Sequence, residues 1–326
     1  MKTREDLLLI GRLFGAPNSQ LKEIFNLTQI DDFAQTGKVS QEYTKSLRAA
    51  AVGMVGSGHV STVEVNDAFF DIFSNLEIVA VLGVGCDHID VDAAAKRSVT
   101  ITNTPDVNTE EVADTAMGML LGTVRQLPQA DRFVRAGKWP TQMFPLTGTL
   151  RSKRLGILGL GRIGKAVARR AEAFGLEILY HGRNRQPEVS YTYFDSAIDL
   201  ATAADILMVI VPGGEATRNL VDAAMLRALG TEGVLLNVSR GTVVDEDALI
   251  AALNNKTILA AGLDAFVHEP YVSDELIAME HLVLLPHIGS GTHYTREMMS
   301  QAVFKNLLNW SDGLPVQNQV FPGQQT

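Results

Sequence analysis

The chain has 326 residues, of which 46% are hydrophobic and 20% charged, and its formal net charge is −9. That length supplies two domains with sizeable cores, while the acidic balance, without a basic run, excludes generic nucleic-acid binding through phosphate neutralisation. One cysteine, Cys86, excludes an intrachain disulfide and a cysteine metal cluster.

No metal ligand set is expected. No apolar stretch reaches the length of a membrane span, and the start MKTREDLLLIG lacks a signal-peptide apolar core. A cytoplasmic protein with no membrane or nucleic-acid partner is therefore expected.

Residues 1–100 alternate short apolar runs with helical patterns. Strands are predicted at 6–13, 50–55, 76–82 and 99–103, and helices at 19–25, 65–73 and 91–97. This is a small doubly wound α/β unit. Its first turn, Gly11-Arg12-Leu13-Phe14-Gly15, has the wrong glycine spacing for phosphate. A long helical region follows over 109–137, with Thr109 as N-cap, Glu110 and Glu111 in its first turn, and Pro128 as a break. Residues 139–149 carry two prolines and little periodicity.

A second α/β unit opens at Leu155. Its further strands are predicted at 205–211, 233–239, 259–266 and 282–287, near-continuously apolar as in a parallel sheet covered on both faces. The tail at 292–308 reads as a helix that packs back on the first unit. The first domain is then discontinuous, 1–100 with 291–326, around a second domain of 101–290.

The turn after Leu158 carries Gly159, Gly161 and Gly164 in a G-x-G-x-x-G pattern between a strand and a helix. The first glycine permits the tight turn, the second a close approach by pyrophosphate, and the third close packing of helix on strand. The helix runs on Ile163, Val167, Ala171 and Phe174, with Gly175 at its C-terminal cap. After the next strand stand His181, Gly182, Arg183, Asn184 and Arg185. An NAD site usually places a carboxylate there for the ribose hydroxyls. Two guanidinium groups suit a 2′-phosphate instead. NADP(H) is expected over NAD(H), the latter used at lower efficiency; the other reading is two solvated surface arginines.

Three polar elements follow apolar strands, where open parallel sheets bind ligands. They are Asn237-Val238-Ser239-Arg240-Gly241, then Asp264 with Glu269-Pro270, then Pro286-His287-Ile288-Gly289-Ser290. Arginine can hold a carboxylate and polarise a ketone. Histidine can protonate a developing alkoxide, and a neighbouring carboxylate stabilises imidazolium. Each also has a plainer reading: Arg240 in a surface ion pair, Glu269 as a loop residue, His287 as a packing histidine. His59, His88, His181, His268, His281 and His293 read as structural or solvated.

With these motifs in place, the chain resembles the D-2-hydroxyacid dehydrogenase family over nearly its whole length. Gly83-Val84-Gly85-Cys86-Asp87-His88-Ile89-Asp90 is similar to the family's substrate loop, and Asn103-Thr104-Pro105-Asp106-Val107 to its interdomain segment. The resemblance implies two doubly wound parallel-sheet domains: a Rossmann nucleotide-binding domain and a smaller flavodoxin-like substrate domain. It implies Arg240, Glu269 and His287 as catalytic residues, and Val84, Gly85, Arg240, Trp139 and Ser290 at the substrate. For the cofactor it implies Val107, Gly159, Leu160, Gly161, Arg162, Ile163, Gly164, Arg183, Asn184, Arg185, Val211, Pro212, Thr217, Val238, Asp264, His287 and Gly289.

Within the family the chain is most similar to NADPH-linked glyoxylate, hydroxypyruvate and hydroxyphenylpyruvate reductases. It departs from them at Leu82 and at Met143-Phe144-Pro145-Leu146. The implied reaction reduces a small 2-oxo acid, its carboxylate on the Val84 and Gly85 backbone and Arg240, with His287 giving the proton and closure near Asn103 and Ser290. A homodimer is implied through residues 106–150, with Trp139 lining the partner's pocket or serving as a core or interface residue. Two alternatives stay open. One is another family member, such as a phosphoglycerate or lactate dehydrogenase. The other is a dehydrogenase-like redox-sensing corepressor.

Overall fold

A computed structural model describes residues 4–31, 40–55 and 63–323; His59 lies outside them. The chain divides into two compact units, Met1–Asn108 with Gly291–Thr326, and Thr109–Ser290. The first division falls after Asn108 rather than at 100, because residues just beyond 100 still pair into the first sheet.

The first unit runs β1 (Asp6–Ile10), α1 (Ala16–Ile24), β2 (Asn26–Ile30), α2 (Gln41–Ser46), β3 (Ala49–Val52), α3 (Asp67–Ile72), β4 (Ile78–Val81), α4 (Val91–Lys96) and β5 (Thr100–Thr102). Its sheet has the order β5-β4-β3-β1-β2, all parallel, with Gln319–Val320 antiparallel on the outer side of β5. Read from β2, this is the 2-1-3-4-5 order of flavodoxin-like sheets. Alternate residues of each strand point to opposite faces. Leu8, Ile10, Val52 and Val79 pack under Phe69, Phe70 and Phe73. Leu7, Leu9, Ala51 and Ile78 meet Leu21, Met299, Val303 and Leu307. Both faces are covered, so the strands read as unbroken apolar runs.

β1 is shorter than its apolar run. Gly11 follows at φ 81, and a Cβ there would strike the Met54 carbonyl. β2, NLTQI, was not predicted. It is an edge strand with only Ile30 buried, so it lacks the apolar signature of its neighbours.

The second unit runs α5 (Thr109–Val124), α6 (Leu127–Arg135), β6 (Arg154–Leu158), α7 (Arg162–Ala173), β7 (Glu177–His181), β8 (Thr192–Tyr193), α8 (Ala197–Ala203), β9 (Ile206–Val209), α9 (Ala223–Leu229), β10 (Val234–Asn237), α10 (Glu246–Asn254), β11 (Ala260–Leu263), α11 (Asp274–Ala278) and β12 (Val283–Leu284). Its seven strands are parallel in the order β8-β7-β6-β9-β10-β11-β12. This is the 3-2-1-4-5-6 Rossmann order with a seventh strand added. The order reverses between β6 and β9, which puts the ligand crevice at their C-terminal ends.

Two local expectations are corrected. Thr109 is the first helical residue of α5, not its cap. The break in the long helix precedes Pro128, at Gln126, which is left-handed (φ 50) and leaves the proline in the first turn of α6. Proline is tolerated there because first-turn amides lack intrahelical partners anyway. After the second unit the chain forms α12 (His293–Ser311), capped by the Thr292 hydroxyl, and then β13 (Gln319–Val320). Among the described residues no helix is long and apolar enough to cross a membrane.

Candidate active site

The glycine turn shows three different physical demands. Gly159 has φ 102, and a Cβ there would lie 2.5 Å from the carbonyl oxygen of Ile210, just past β9 across the switch point. A Cβ on Gly164 would strike the Gly159 carbonyl, so that glycine sets how closely α7 packs on the turn. Gly161 has an ordinary extended backbone, and a Cβ there would meet nothing within 4 Å. It faces open space at the head of α7. Side chains cap α3, α4, α8, α9 and α10 (Asn66, Asp90, Ser196, Asp222 and Asp245), but none caps α7. The helix dipole favours an anion at the N-terminus of α7. The helix ends in a Schellman motif, with Gly175 (φ 75) donating to Glu172 and Leu176 to Ala171.

These differences give a test. Gly161→Ala should keep the melting temperature within a degree or two and weaken cofactor binding roughly tenfold or more, since only the ligand meets the new methyl. Gly164→Ala should instead lower the melting temperature by several degrees, for a clash of about 1–3 kcal/mol. Thermal melts beside cofactor titrations separate the two.

At the end of β7 the corner holds no carboxylate. Arg183, Asn184 and Arg185 are exposed. Among the described residues neither guanidinium forms an ion pair, whereas Arg48, Arg97, Arg154, Arg169 and Arg170 each hold a carboxylate. The next acid along, Glu188, is taken by Lys165 at 2.8 Å. Two cations are thus uncommitted where a 2′-phosphate would lie. The open space before Gly161, the uncapped helix and this corner fit a phosphorylated dinucleotide.

The strand ends β10, β11 and β12 position the polar residues. Buried Asn237 closes β10. Its Oδ1 accepts from the Ser239 amide (3.0 Å) and hydroxyl (2.8 Å), and its Nδ2 donates to the Arg240 carbonyl at 2.9 Å. Gly241 follows, where a Cβ would overlap the Phe266 backbone. Only glycine lets the Arg240 turn lie against the loop after β11. In that loop Glu269 accepts from the Phe266 amide at 2.9 Å. Its other bonds go to His287 Nδ1, at 3.0 and 2.8 Å. His287 and Glu269 side chains are 17% and 20% exposed, so the pair is shielded but reachable.

Burial pushes the Glu269 carboxyl up, but the His287 bond and charge, the Phe266 amide and the Arg240 guanidinium outweigh it and hold it below the usual carboxylate range. It is therefore ionised at neutral pH. Asp264, at the end of β11, is buried and accepts from the Ile288 and Gly289 amides, each at 2.8 Å. Burial dominates and raises its carboxyl, although those amides and His287 oppose the shift. The two bonds fix the chain just after His287, whose own φ is 53. A left-handed backbone at a non-glycine residue costs about 1–2 kcal/mol and needs such support. The histidine, the glutamate and the arginine's field on that glutamate are thus brought together. Glu269 does lie in a loop, but its carboxylate is held by the His287 imidazole and the Phe266 amide.

Other expected residues fall as follows. Val211 lies at the switch point, its Cγ1 2.9 Å from a Cβ built on Gly159. Pro212 follows, its carbonyl accepting from the Thr217 hydroxyl at 2.7 Å. Leu160 is buried, Arg162 and Ile163 open α7, and Val238 follows β10. Ser290 is the last residue of its unit. Trp139 is 69% exposed, which rules out a core role. In the first unit Val107 packs against the core cluster of β1, β3 and β4. Thr104 and Gly83 share three hydrogen bonds, and Asn103 Nδ2 donates to the Val84 carbonyl at 2.8 Å, shaping the loop of Val84 and Gly85.

Sequence reasoning placed Asn103 only near a closure point, gave Asn237 no role beyond opening a polar element, and assigned nothing to Gln186. A polar residue closing a buried strand was the available signal for Asn237. Nothing marked Gln186.

Residues 117–289 match the family model described as D-isomer specific 2-hydroxyacid dehydrogenase, NAD binding domain. The chain is 43% identical over 303 residues to glyoxylate/hydroxypyruvate reductase A of Arabidopsis thaliana, covering 91% of this chain and 95% of that protein. It is 44% identical over 246 residues to hydroxyphenylpyruvate reductase of Plectranthus scutellarioides, covering 76% and 79%. The crystal structure of an NADPH-dependent glyoxylate/hydroxypyruvate reductase from Sinorhizobium meliloti, in complex with NADP and malonate, matches with a TM-score of 0.89 and 42% identity, over 98% of this chain and 97% of that one. An NAD(P)-binding Rossmann sheet, a flavodoxin-like companion and these matches make the chain an oxidoreductase of the D-isomer specific 2-hydroxyacid dehydrogenase family.

Proposed function

We propose that the protein is an NADPH-dependent reductase of small 2-oxo acids, of the glyoxylate and hydroxypyruvate class, yielding D-2-hydroxy acids. The observation that carries this reading is the bidentate bond between Glu269 and His287 Nδ1, within the field of Arg240, at the strand ends of a nucleotide-binding sheet. The unit 109–290 is the nucleotide-binding domain, and 1–108 with 291–326 is the substrate domain.

Residues of the glycine turn, Arg183, Arg185, Val211, Thr217, Val238 and Asp264 would hold the cofactor, which supplies a hydride when bound. Ionised Glu269 accepts from Nδ1–H and favours the imidazolium, in which Nε2 carries the transferable proton; giving it up leaves the neutral Nδ1–H tautomer still bonded to Glu269. His287 gives that proton to the oxygen on carbon 2. Arg240 balances the charge growing on that oxygen and the charge a carboxylate already carries. In the first unit the amides of Val84 and Gly85 have no acceptor among the described residues and suit a carboxylate.

The preference for NADPH rests on the two uncommitted guanidinium groups and on the NADP-bound relative. A homodimer is supported by the apolar residues left exposed on α6 and beyond, namely Leu127, Val134, Trp139, Met143 and Leu146. Twice the chain mass in light scattering is the expected outcome.

A panel of kcat/KM values for glyoxylate, hydroxypyruvate, pyruvate, phenylpyruvate and hydroxyphenylpyruvate tests the function. We expect values of at least about 10^4 M⁻¹s⁻¹ for one of the first two with NADPH. No NADPH oxidation with any of them would favour a redox-sensing binding protein.

A further inference from the structure

The segment 183–185 is tied down on both sides. Before it, the Tyr193 hydroxyl donates to the Gly182 carbonyl at 3.2 Å. After it, the Gln186 amide donates to the Tyr180 hydroxyl at 2.8 Å. The Gln186 side chain then reaches across the turn, and its Nε2 donates to the Leu160 carbonyl at 2.6 Å. Leu160 lies between Gly159 and Gly161. Tyr180 is fully buried and packs on Tyr193, with ring centroids 5.2 Å apart, so the anchors rest on the core. Two residues further on, Glu188 pairs with Lys165 of α7.

We propose that Gln186 is a positioning residue for cofactor selectivity, whose side-chain amide locks the segment carrying Arg183 and Arg185 to the phosphate-binding glycine turn. The inference rests on the NADPH reading above. Arginine side chains carry large rotamer entropy, so a cation site works best when its backbone is already fixed. The Leu160 carbonyl is a fixed point of the pyrophosphate site. A single side chain thereby sets the spacing between that site and the 2′-phosphate site. Gln186 needs no contact with the ligand for this. Its nitrogen does the tethering, while its Oε1 is buried without a partner among the described residues.

The test is binding as well as turnover. Calorimetric titration with adenosine 2′,5′-bisphosphate and with 5′-AMP isolates the 2′-phosphate. The wild-type protein should prefer the bisphosphate. Gln186→Met keeps the volume, removes the donor, and should lower that preference roughly tenfold. Its melting temperature and its 5′-AMP affinity should barely move. Gln186→Glu, which sets an acceptor against the Leu160 carbonyl, should lose more. Tyr180→Phe should shift the ratio the same way.

The NADPH-to-NADH ratio of kcat/KM should follow the binding ratio, through KM rather than kcat. A Gln186→Met protein that keeps the full preference overturns the inference, as does one that loses both ligands equally with a lowered melting temperature. A wild-type protein that binds the two ligands equally removes the NADPH reading, and the inference with it. Loss of preference in an Arg183→Ala, Arg185→Ala protein but not in Gln186→Met leaves the NADPH reading standing and the tether refuted.

Discussion

Replacing His287 with alanine should lower kcat for 2-oxo acid reduction by roughly 10^2 to 10^4-fold, the usual range for loss of a positioned general acid. The cofactor dissociation constant should change little, as read by quenching of protein fluorescence on titration. The imidazole is bonded to Glu269 through Nδ1, so its removal takes the donor and leaves the carboxylate without its strongest partner. Glu269 would then lose the bond and charge that hold its carboxyl low, and burial would push it up. The sign follows for stability. A carboxylate depressed in the folded state adds stability above its unfolded pKa and loses it as pH falls through the folded value. The wild type should therefore outlast the alanine variant in thermal melts at neutral pH. That advantage should vanish only below the ordinary carboxylate range. A variant with wild-type turnover would remove His287 from the reaction.

Replacing Arg183 and Arg185 together with alanine should reverse the cofactor preference. Each guanidinium can make charge-assisted bonds to a phosphate, and these are worth about 1.5–3 kcal/mol apiece. At partly exposed positions screening reduces this, so we expect a loss of roughly 10^2-fold in kcat/KM with NADPH. The value with NADH should stay within a few-fold, because neither guanidinium is used elsewhere among the described residues. The NADPH loss should shrink at high salt. Equal losses with both cofactors would mean that the arginines support the loop rather than read the 2′-phosphate.

The candidate site was legible because parallel sheets concentrate polar groups at their strand ends. Arg240, Glu269 and His287 each follow an apolar strand within a few residues, and such ends are where a doubly wound sheet binds ligands. The glycine spacing likewise predicted a tight turn at Gly159 and close helix packing at Gly164; a built Cβ strikes backbone at both, whereas at Gly161 it meets open space. What could not be read was tertiary in origin. Gly241 looks like any loop glycine until the Phe266 backbone is seen against it. Gln186 is one polar residue in a polar loop, and its partner lies 26 positions away. The edge strand β2 is half solvated, so no apolar run announces it. The break before α6 was attributed to Pro128, which only begins the next helix; the left-handed Gln126 makes the bend.

The most direct test of the imidazole–carboxylate pair as proton donor is a crystal structure with NADP⁺ and oxamate, an unreactive 2-oxo acid mimic. The predicted result places the oxygen matching the ketone within hydrogen-bond distance of His287 Nε2, with Glu269 still on Nδ1 and Arg240 on the mimic. An oxamate bound elsewhere, or an Nε2 turned away from it, would contradict the account.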